Sequence, residues 1–266
     1  MTRVAVVGHV EWVEFVTLER YPQRGVVEHA DGMFVHAGGG AVVAAATLAE
    51  LGAQVDFFCA LGDDDTGDAA QAELTRRGIA VHAARRHEPT RRVVTLLDGG
   101  GERTIVTIGD RLEPSGDDPL GWERLTDADG VYLTAGDAGA AQRARQARVL
   151  VATPRFRESL REEELQLDAL VYSQSDEDEA SWAKRFASQT RLMVATQGSA
   201  GGRWWGASEG TWPAAAPPGE PRDAYGCGDS FAAGFTFGLA AGGDVGEAAA
   251  VGARCGAEML TRVGAP

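Results

Sequence analysis

Asp223-Ala224-Tyr225-Gly226-Cys227-Gly228-Asp229-Ser230 stands directly before Phe231-Ala232-Ala233-Gly234-Phe235-Thr236-Phe237-Gly238-Leu239-Ala240, an apolar run that reads as a buried helix. Two glycines flanking one small residue just ahead of a helix start let several backbone N–H groups face one point, with the positive end of the helix behind them. Such a point binds an anion. A carboxylate at its rim is suited to take a proton from a hydroxyl that then attacks a bound phosphoryl group. The stretch therefore points to phosphoryl transfer to an alcohol. A plainer reading fits the same residues: Asp229 as an N-terminal helix cap, and the glycines as turn formers.

Asp-x-x-Gly-x-Gly-Asp before a small, apolar helix resembles the C-terminal signature of the ribokinase-like (PfkB family) carbohydrate kinases, with Cys227 where Ala is usual. The resemblance implies an α/β fold: a doubly wound, mostly parallel sheet with helices on both faces and a small β-sheet lid. It implies ATP as donor and Mg2+ as metal, and leaves a monovalent cation open. Asp229 would be the catalytic base, Gly226, Cys227 and Gly228 the anion hole, and Asp223 a residue of the substrate side. Further marks of the family follow in order along nearly the whole chain.

The totals limit the alternatives. A chain of 266 residues is long enough for a large core. Its 35 glycines suit many tight turns between strands and helices. With 25 basic against 39 acidic residues the net charge is −14, which argues against a nucleic-acid or anionic-membrane partner. Three cysteines, Cys59, Cys227 and Cys255, lack metal-type spacing and read as thiols of a reduced, cytoplasmic protein. No apolar stretch approaches the ~20 residues of a membrane span, and the N-terminal apolar run is too short for a signal peptide. Pro213 to Pro221 reads as a surface loop.

Val4-Ala5-Val6-Val7 is a β-branched run that reads as a buried parallel strand ending at Gly8. Gly8-His9-Val10-Glu11-Trp12 lacks the Gly-x-Gly-x-x-Gly pattern of dinucleotide binding. From about Val10 to Phe34 the chain reads as short exposed strands with a turn. By resemblance this is part of the lid, where the family often places an Asn and an Asp on the sugar; Glu11 and Val13 stand there. Glu11 is thus a substrate contact or a solvated strand residue. Ala37-Gly38-Gly39-Gly40 opens an alanine-rich helix running to Leu51-Gly52, with Gly52 as its C-cap. Gly38 and Gly39 match the family's N-terminal signature on the substrate side, whereas Gly40 and Val43 replace its Lys and Asn. Close helix packing is the competing reading of these glycines.

Val55 to Ala60 is the next strand, and Gly62-Asp63-Asp64-Asp65-Thr66-Gly67 opens a helix to about Arg77; its acids read mainly as structural caps, with a metal role as the lesser alternative. Val93 to Leu97 and Thr104 to Ile108 form a hairpin about a Gly-rich turn, Asp98 to Arg103. It should join the Val10–Phe34 strands in the lid. The expected division is residues 1–9, 37–87 and 110–266 as the α/β domain, and 10–36 and 88–109 as the lid. A lid edge is a physical reason to expect a homodimer.

Beyond Ala128, strands at 130–134, 149–153, 169–173 and 192–195 alternate with helices, including one near Ala140 to Arg148, which gives a parallel, helix-covered sheet. Ser175-Asp176-Glu177-Asp178-Glu179 fits a solvated helix start. The resemblance instead makes Glu179 the residue that orders Mg2+ through water, with Asp176 replacing the family's Asn. Thr196-Gln197-Gly198-Ser199-Ala200-Gly201 resembles the family's nucleotide loop, placing Thr196, Gly198 and Gly201 at the ADP moiety; a hairpin leading into Trp204-Trp205 is the other reading. Cys255, on a helix from Val245 to Leu260, reads as a packing residue.

The activity expected is ATP-dependent phosphorylation of a hydroxyl on a sugar or sugar-like small molecule. A nucleoside kinase and a non-catalytic ligand-binding relative are the alternatives.

Overall fold

The computed structural model describes residues 1–99, 103–156 and 165–264. Among these, β1 (Arg3–Val7), β4 (Gln54–Gly62), β5 (Ala80–Arg86), β8 (Gly130–Leu133), β9 (Leu150–Ala152), β10 (Leu167–Ser173), β11 (Thr190–Thr196), β12 (Gly202–Gly206) and β13 (Gly210–Trp212) form one sheet. Its order is β13-β12-β11-β10-β9-β8-β1-β4-β5. The seven strands from β11 to β5 are parallel, and β12 and β13 add an antiparallel edge. The order reverses between β1 and β8, and ligands of such sheets bind in the crevice outside the strand C-termini at that point.

β2 (Glu11–Thr17), β3 (Gly32–Gly38), β6 (Arg92–Leu97) and β7 (Arg103–Ile108) form a separate sheet in the order β3-β2-β6-β7. β6 pairs with β7 antiparallel and with β2 in parallel, so the predicted hairpin does extend the first strands. Turn residues 100–102 lie outside the described residues. The first two strands are not exposed throughout. Val13 and Phe15 alternate inward with Val93 and Leu97, and Phe34 and Tyr225 pack on them. Tyr225 comes from the loop ahead of the Phe231–Ala240 run, so the smaller sheet rests on that loop.

Helices cover both faces of the large sheet: α1 (Gly40–Glu50), α2 (Asp65–Arg76), α3 (Ala138–Ala144), α4 (Glu177–Arg185), α5 (Cys227–Ala240) and α6 (Val245–Met259). α3 starts earlier and is shorter than its sequence suggests, because Asp137 caps it by accepting from Ala140 N at 2.7 Å. β5 escaped the sequence reading; its Ala, His and Arg residues carry little strand propensity, and pairing with β4 supplies what propensity does not. Two apolar clusters lie on the two faces, one under α1, α5 and α6, the other under α3 and α4.

Small residues let α5 and α6 touch along their backbones. A Cβ on Gly234 would lie 2.8 Å from Cys255 Sγ, and one on Gly238 would lie 2.5 Å from Ala248 Cα. Cys255 is buried in that contact, the packing role its sequence suggests. The contact fixes the axis of α5, and so the position of its N-terminus.

Of the Gly62–Gly67 acids, Asp64 has a structural place. Asp64 caps α2 through Gly67 N at 2.7 Å and takes Thr90 N and Thr90 Oγ1, each at 2.8 Å. Burial works to raise its pKa, but these hydrogen bonds and the charge of Arg85 outweigh burial and hold the carboxyl below its usual value.

Candidate active site

α5 begins at Cys227, and its N-cap is Gly226, at φ 73° and without a side-chain cap. Asp229 is therefore the third residue of the helix and caps nothing. The capping alternative fails because a left-handed glycine, not a carboxylate, holds the N-cap position. Only glycine suits Gly226: besides its φ, a Cβ there would lie 2.8 Å from Val43 Cγ1. Cys227 and Gly228 complete the first turn, in which Cys227 N makes a long bond to Ala224 O at 3.4 Å. Burial pushes the Cys227 thiol up to about 11, so it stays protonated.

The Asp229 carboxylate is buried, at 6% exposure. Tyr132, from β8, donates its hydroxyl to Oδ1 at 3.2 Å, and Arg155 Nη1 reaches both oxygens at 3.2 and 3.1 Å. Burial pushes the Tyr132 phenol well up, which keeps it a donor. Arg155 sits on the turn after β9 and also donates Nε to Glu179 Oε1 at 2.9 Å. The other Glu179 oxygen accepts from Ser173 N at 2.9 Å. One guanidinium thus joins Asp229 to the acid expected on the metal side. Asp176, the departure from Asn, caps α4 by accepting from Glu179 N at 3.0 Å, a task either residue performs.

Two carboxylates that share the Arg155 guanidinium fit Mg2+ in a limited sense. That ion keeps several waters and takes one or two carboxylates together with substrate phosphates. The described residues hold no group of three or more metal-ligating side chains, so the phosphates would have to supply the rest.

Gly38 ends β3 and Gly39 precedes α1, both against the Asp223–Asp229 loop. Gly39 N donates to Tyr225 Oη at 2.8 Å, and a Cβ on Gly38 would lie 2.5 Å from Val13 Cγ2. Asp223 does not open toward a ligand with its oxygens idle. It accepts from Arg103 Nη1 at 2.7 Å, Tyr225 N at 2.9 Å and Gly264 N at 3.2 Å. Arg103 belongs to β7, so the smaller sheet is tied directly to the Asp223–Asp229 loop.

Glu11 lies beside His9 Nε2 at 3.7 Å and Arg91 Nε at 3.5 Å. Burial, then the guanidiniums of Arg111, Arg91 and Arg155, push the His9 imidazole down to about 3. The ring is neutral at pH 7, and its approach to Glu11 is not an ion pair. Burial pushes Glu11 up, opposed by Arg91 and Arg111. Thr196 ends β11 opposite Ser173, and Gly198 and Gly201 take positive φ around a tight turn. A Cβ on Gly201 would lie 2.1 Å from Trp212 O, and the glycine turn leads into a strand, β12, that pairs antiparallel with β11, as the hairpin reading expects.

The three departures near the N-terminus have packing reasons. Val13 and Val43 are fully buried, against Gly38 and Gly226, and a Cβ on Gly40 would stand 2.5 Å from Asp229 Oδ1. The sequence reading missed Arg155, Tyr132, His9, Arg91 and Arg111. The position of each at a strand end was the available signal, but nothing in the linear order ties them to Asp229.

The pattern of the pfkB family carbohydrate kinases matches residues 1–266. A curated relative, the ATP-dependent ribose-1-phosphate kinase of Halopiger xanaduensis, is 27% identical over 298 residues, covering 100% of this chain and 94% of the relative. Among solved structures, a microbiome-derived acarbose kinase superposes with a TM-score of 0.84 at 24% identity, covering 99% of this chain and 94% of that one. A Thermotoga maritima ribokinase gives 0.81 at 19% identity, covering 100% and 95%.

Proposed function

We propose, from the premise that the chain belongs to the pfkB family of carbohydrate kinases, that its phosphoryl transfer from ATP to a sugar hydroxyl runs on Asp229. Membership makes the protein a phosphotransferase with a hydroxyl acceptor, and a sugar or nucleoside kinase in the coarse sense. The observation that carries the finer reading is the place of Asp229. It is buried in the first turn of α5, caps nothing, and stands next to Gly228, three residues past the Gly226 N-cap.

Asp229 takes the acceptor proton as the oxygen attacks. N–H groups of Gly226 to Asp229 stabilise charge on the transferring phosphoryl group. Arg155 exchanges its carboxylate partners for phosphoryl oxygens, a trade suited to a planar fork of donors. Glu179 would hold Mg2+ through water, and the ion would supply charge neutralisation between phosphates. Thr196, Gly198 and Gly201 receive the ADP moiety; Gly38, Gly39 and Glu11 face the acceptor, and Asp223 holds the loop between them. The smaller sheet acts as the lid, excluding water that would otherwise hydrolyse ATP.

Release of ADP from ATP–Mg2+ over a panel of sugars, polyols, sugar acids and nucleosides tests the reading. Turnover on a sugar supports it. Turnover on nucleosides alone moves the acceptor class. Nucleotide protection in a thermal melt with no turnover on any compound would favour a binding relative.

A second copy of the chain is the partner we expect at the lid edge. β7 is an edge strand with Ile105, Val106 and Ile108 about half exposed, and such an edge templates pairing. Sedimentation should show a dimer that Val106→Lys weakens; a monomer at all concentrations would sink the idea. No helix among the described residues is long and apolar enough to cross a membrane. A cytoplasmic site is supported by three free cysteines.

A further inference from the structure

We propose that Tyr132 is a positioning residue of the reaction: its hydroxyl pins Oδ1 of Asp229 and so makes Oδ2 the oxygen that takes the acceptor proton. This rests on the reading of Asp229 as the base. Tyr132 is the third residue of β8, with Val6 and Val151 as its neighbours in register. It is 1% exposed and packs in the apolar cluster under α1 and α5. A buried hydroxyl needs a partner, and among the described residues this one has Asp229 Oδ1, at 3.2 Å.

The two oxygens of Asp229 are held unequally. Arg155 Nη1 lies 3.2 Å from Oδ1 and 3.1 Å from Oδ2, so it does not distinguish them. Tyr132 does, because it bonds Oδ1 alone. Gly40 bounds the same oxygen. A Cβ there would stand 2.5 Å from Oδ1 and 3.0 Å from Oδ2, so the bare backbone leaves the carboxylate room to keep this orientation. The difference matters once phosphate arrives. On the reading above, Arg155 then turns from Asp229 to the phosphoryl oxygens. Tyr132 is the donor that stays, since a strand residue locked in a packed core does not follow the phosphate. The last torsion of an aspartate is broad, and a base out of reach of its proton loses much of its rate. With Oδ1 pinned, the free lone pairs lie on Oδ2. That oxygen takes the acceptor proton while the acceptor oxygen bonds to the γ-phosphorus, and ADP leaves with the electron pair of the broken P–O bond. A phenylalanine at 132 would fill the same space and leave the torsion free.

The test is a double-mutant cycle on Tyr132→Phe and Asp229→Asn, with ATP–Mg2+ and the best acceptor of the panel above. Tyr132→Phe should lower kcat about 10–100-fold, the scale of a hydrogen bond to a charged group. Both KM values and the melting temperature should stay nearly unchanged. In the Asp229→Asn background the same substitution should cost little further, because its effect passes through the carboxylate. Near-wild-type kcat for Tyr132→Phe, a loss carried by KM, or an equal fold loss in both backgrounds would overturn the inference and leave Asp229 as the base. Near-wild-type kcat for Asp229→Asn would instead remove the base, and this inference with it. Should no acceptor turn over, crystal structures of Arg155→Ala with and without Tyr132→Phe decide. An Asp229 carboxylate that rotates or splits only when the hydroxyl is gone supports the inference, and one that keeps its rotamer in both overturns it.

Discussion

Asp229→Asn is expected to lower kcat by about 10²–10⁴-fold, the usual contribution of a positioned general base. The substitution keeps size and shape but removes the proton acceptor. KM for ATP and for the acceptor should change little, because neither binding surface is altered, so the loss should fall on kcat. The fold should survive. Asp229 caps nothing, and its amide oxygen can still accept from Tyr132 or Arg155. A turnover assay paired with a thermal melt checks this. Retention of near-wild-type kcat would remove Asp229 from the base role, whatever the family.

Arg155→Ala is expected to cost about 10²–10³-fold in kcat, the scale for losing one preorganised donor to developing charge. Its side chain is 45% exposed and bridges Asp229 and Glu179, so it is accessible to an arriving phosphate and already charge-matched to the site. Two outcomes separate a phosphoryl clamp from a mere brace between two acids. Added guanidinium should restore part of the turnover of Arg155→Ala if the group contacts the phosphoryl oxygens. Arg155→Lys should recover little, since an ammonium cannot present a bidentate fork. Loss of melting temperature without loss of kcat would assign Arg155 to structure alone.

The family and fold were legible from a few stretches. The Asp223–Asp229 motif, the glycines at Gly38 and Gly39 and the 128–196 alternation of strands each rest on local rules: glycine where backbone must approach, apolar runs where strands are buried. The hairpin's union with the Val10–Phe34 strands follows from the family resemblance, and β6 does pair with β2. β5 was not, since its composition gives no signal until β4 offers an edge.

What the sequence by itself determined is the list of local devices: a glycine turn before an apolar helix, caps among Asp63 to Asp65, a helix start at Asp176 to Glu179, and a net charge of −14. Tertiary structure alone decided which side chains share the site. Tyr132 lies 97 residues from Asp229, and Arg155 lies 74. Only parallel strands ending at one crevice bring them together. It also decided that Asp229 is no cap, that Val13 and Val43 are packing, and that Arg103 ties the smaller sheet to the loop. The physical reason is range. Propensity and capping act within about one helical turn, while burial, ion pairing and the space a Cβ would need depend on residues that only the folded chain makes neighbours.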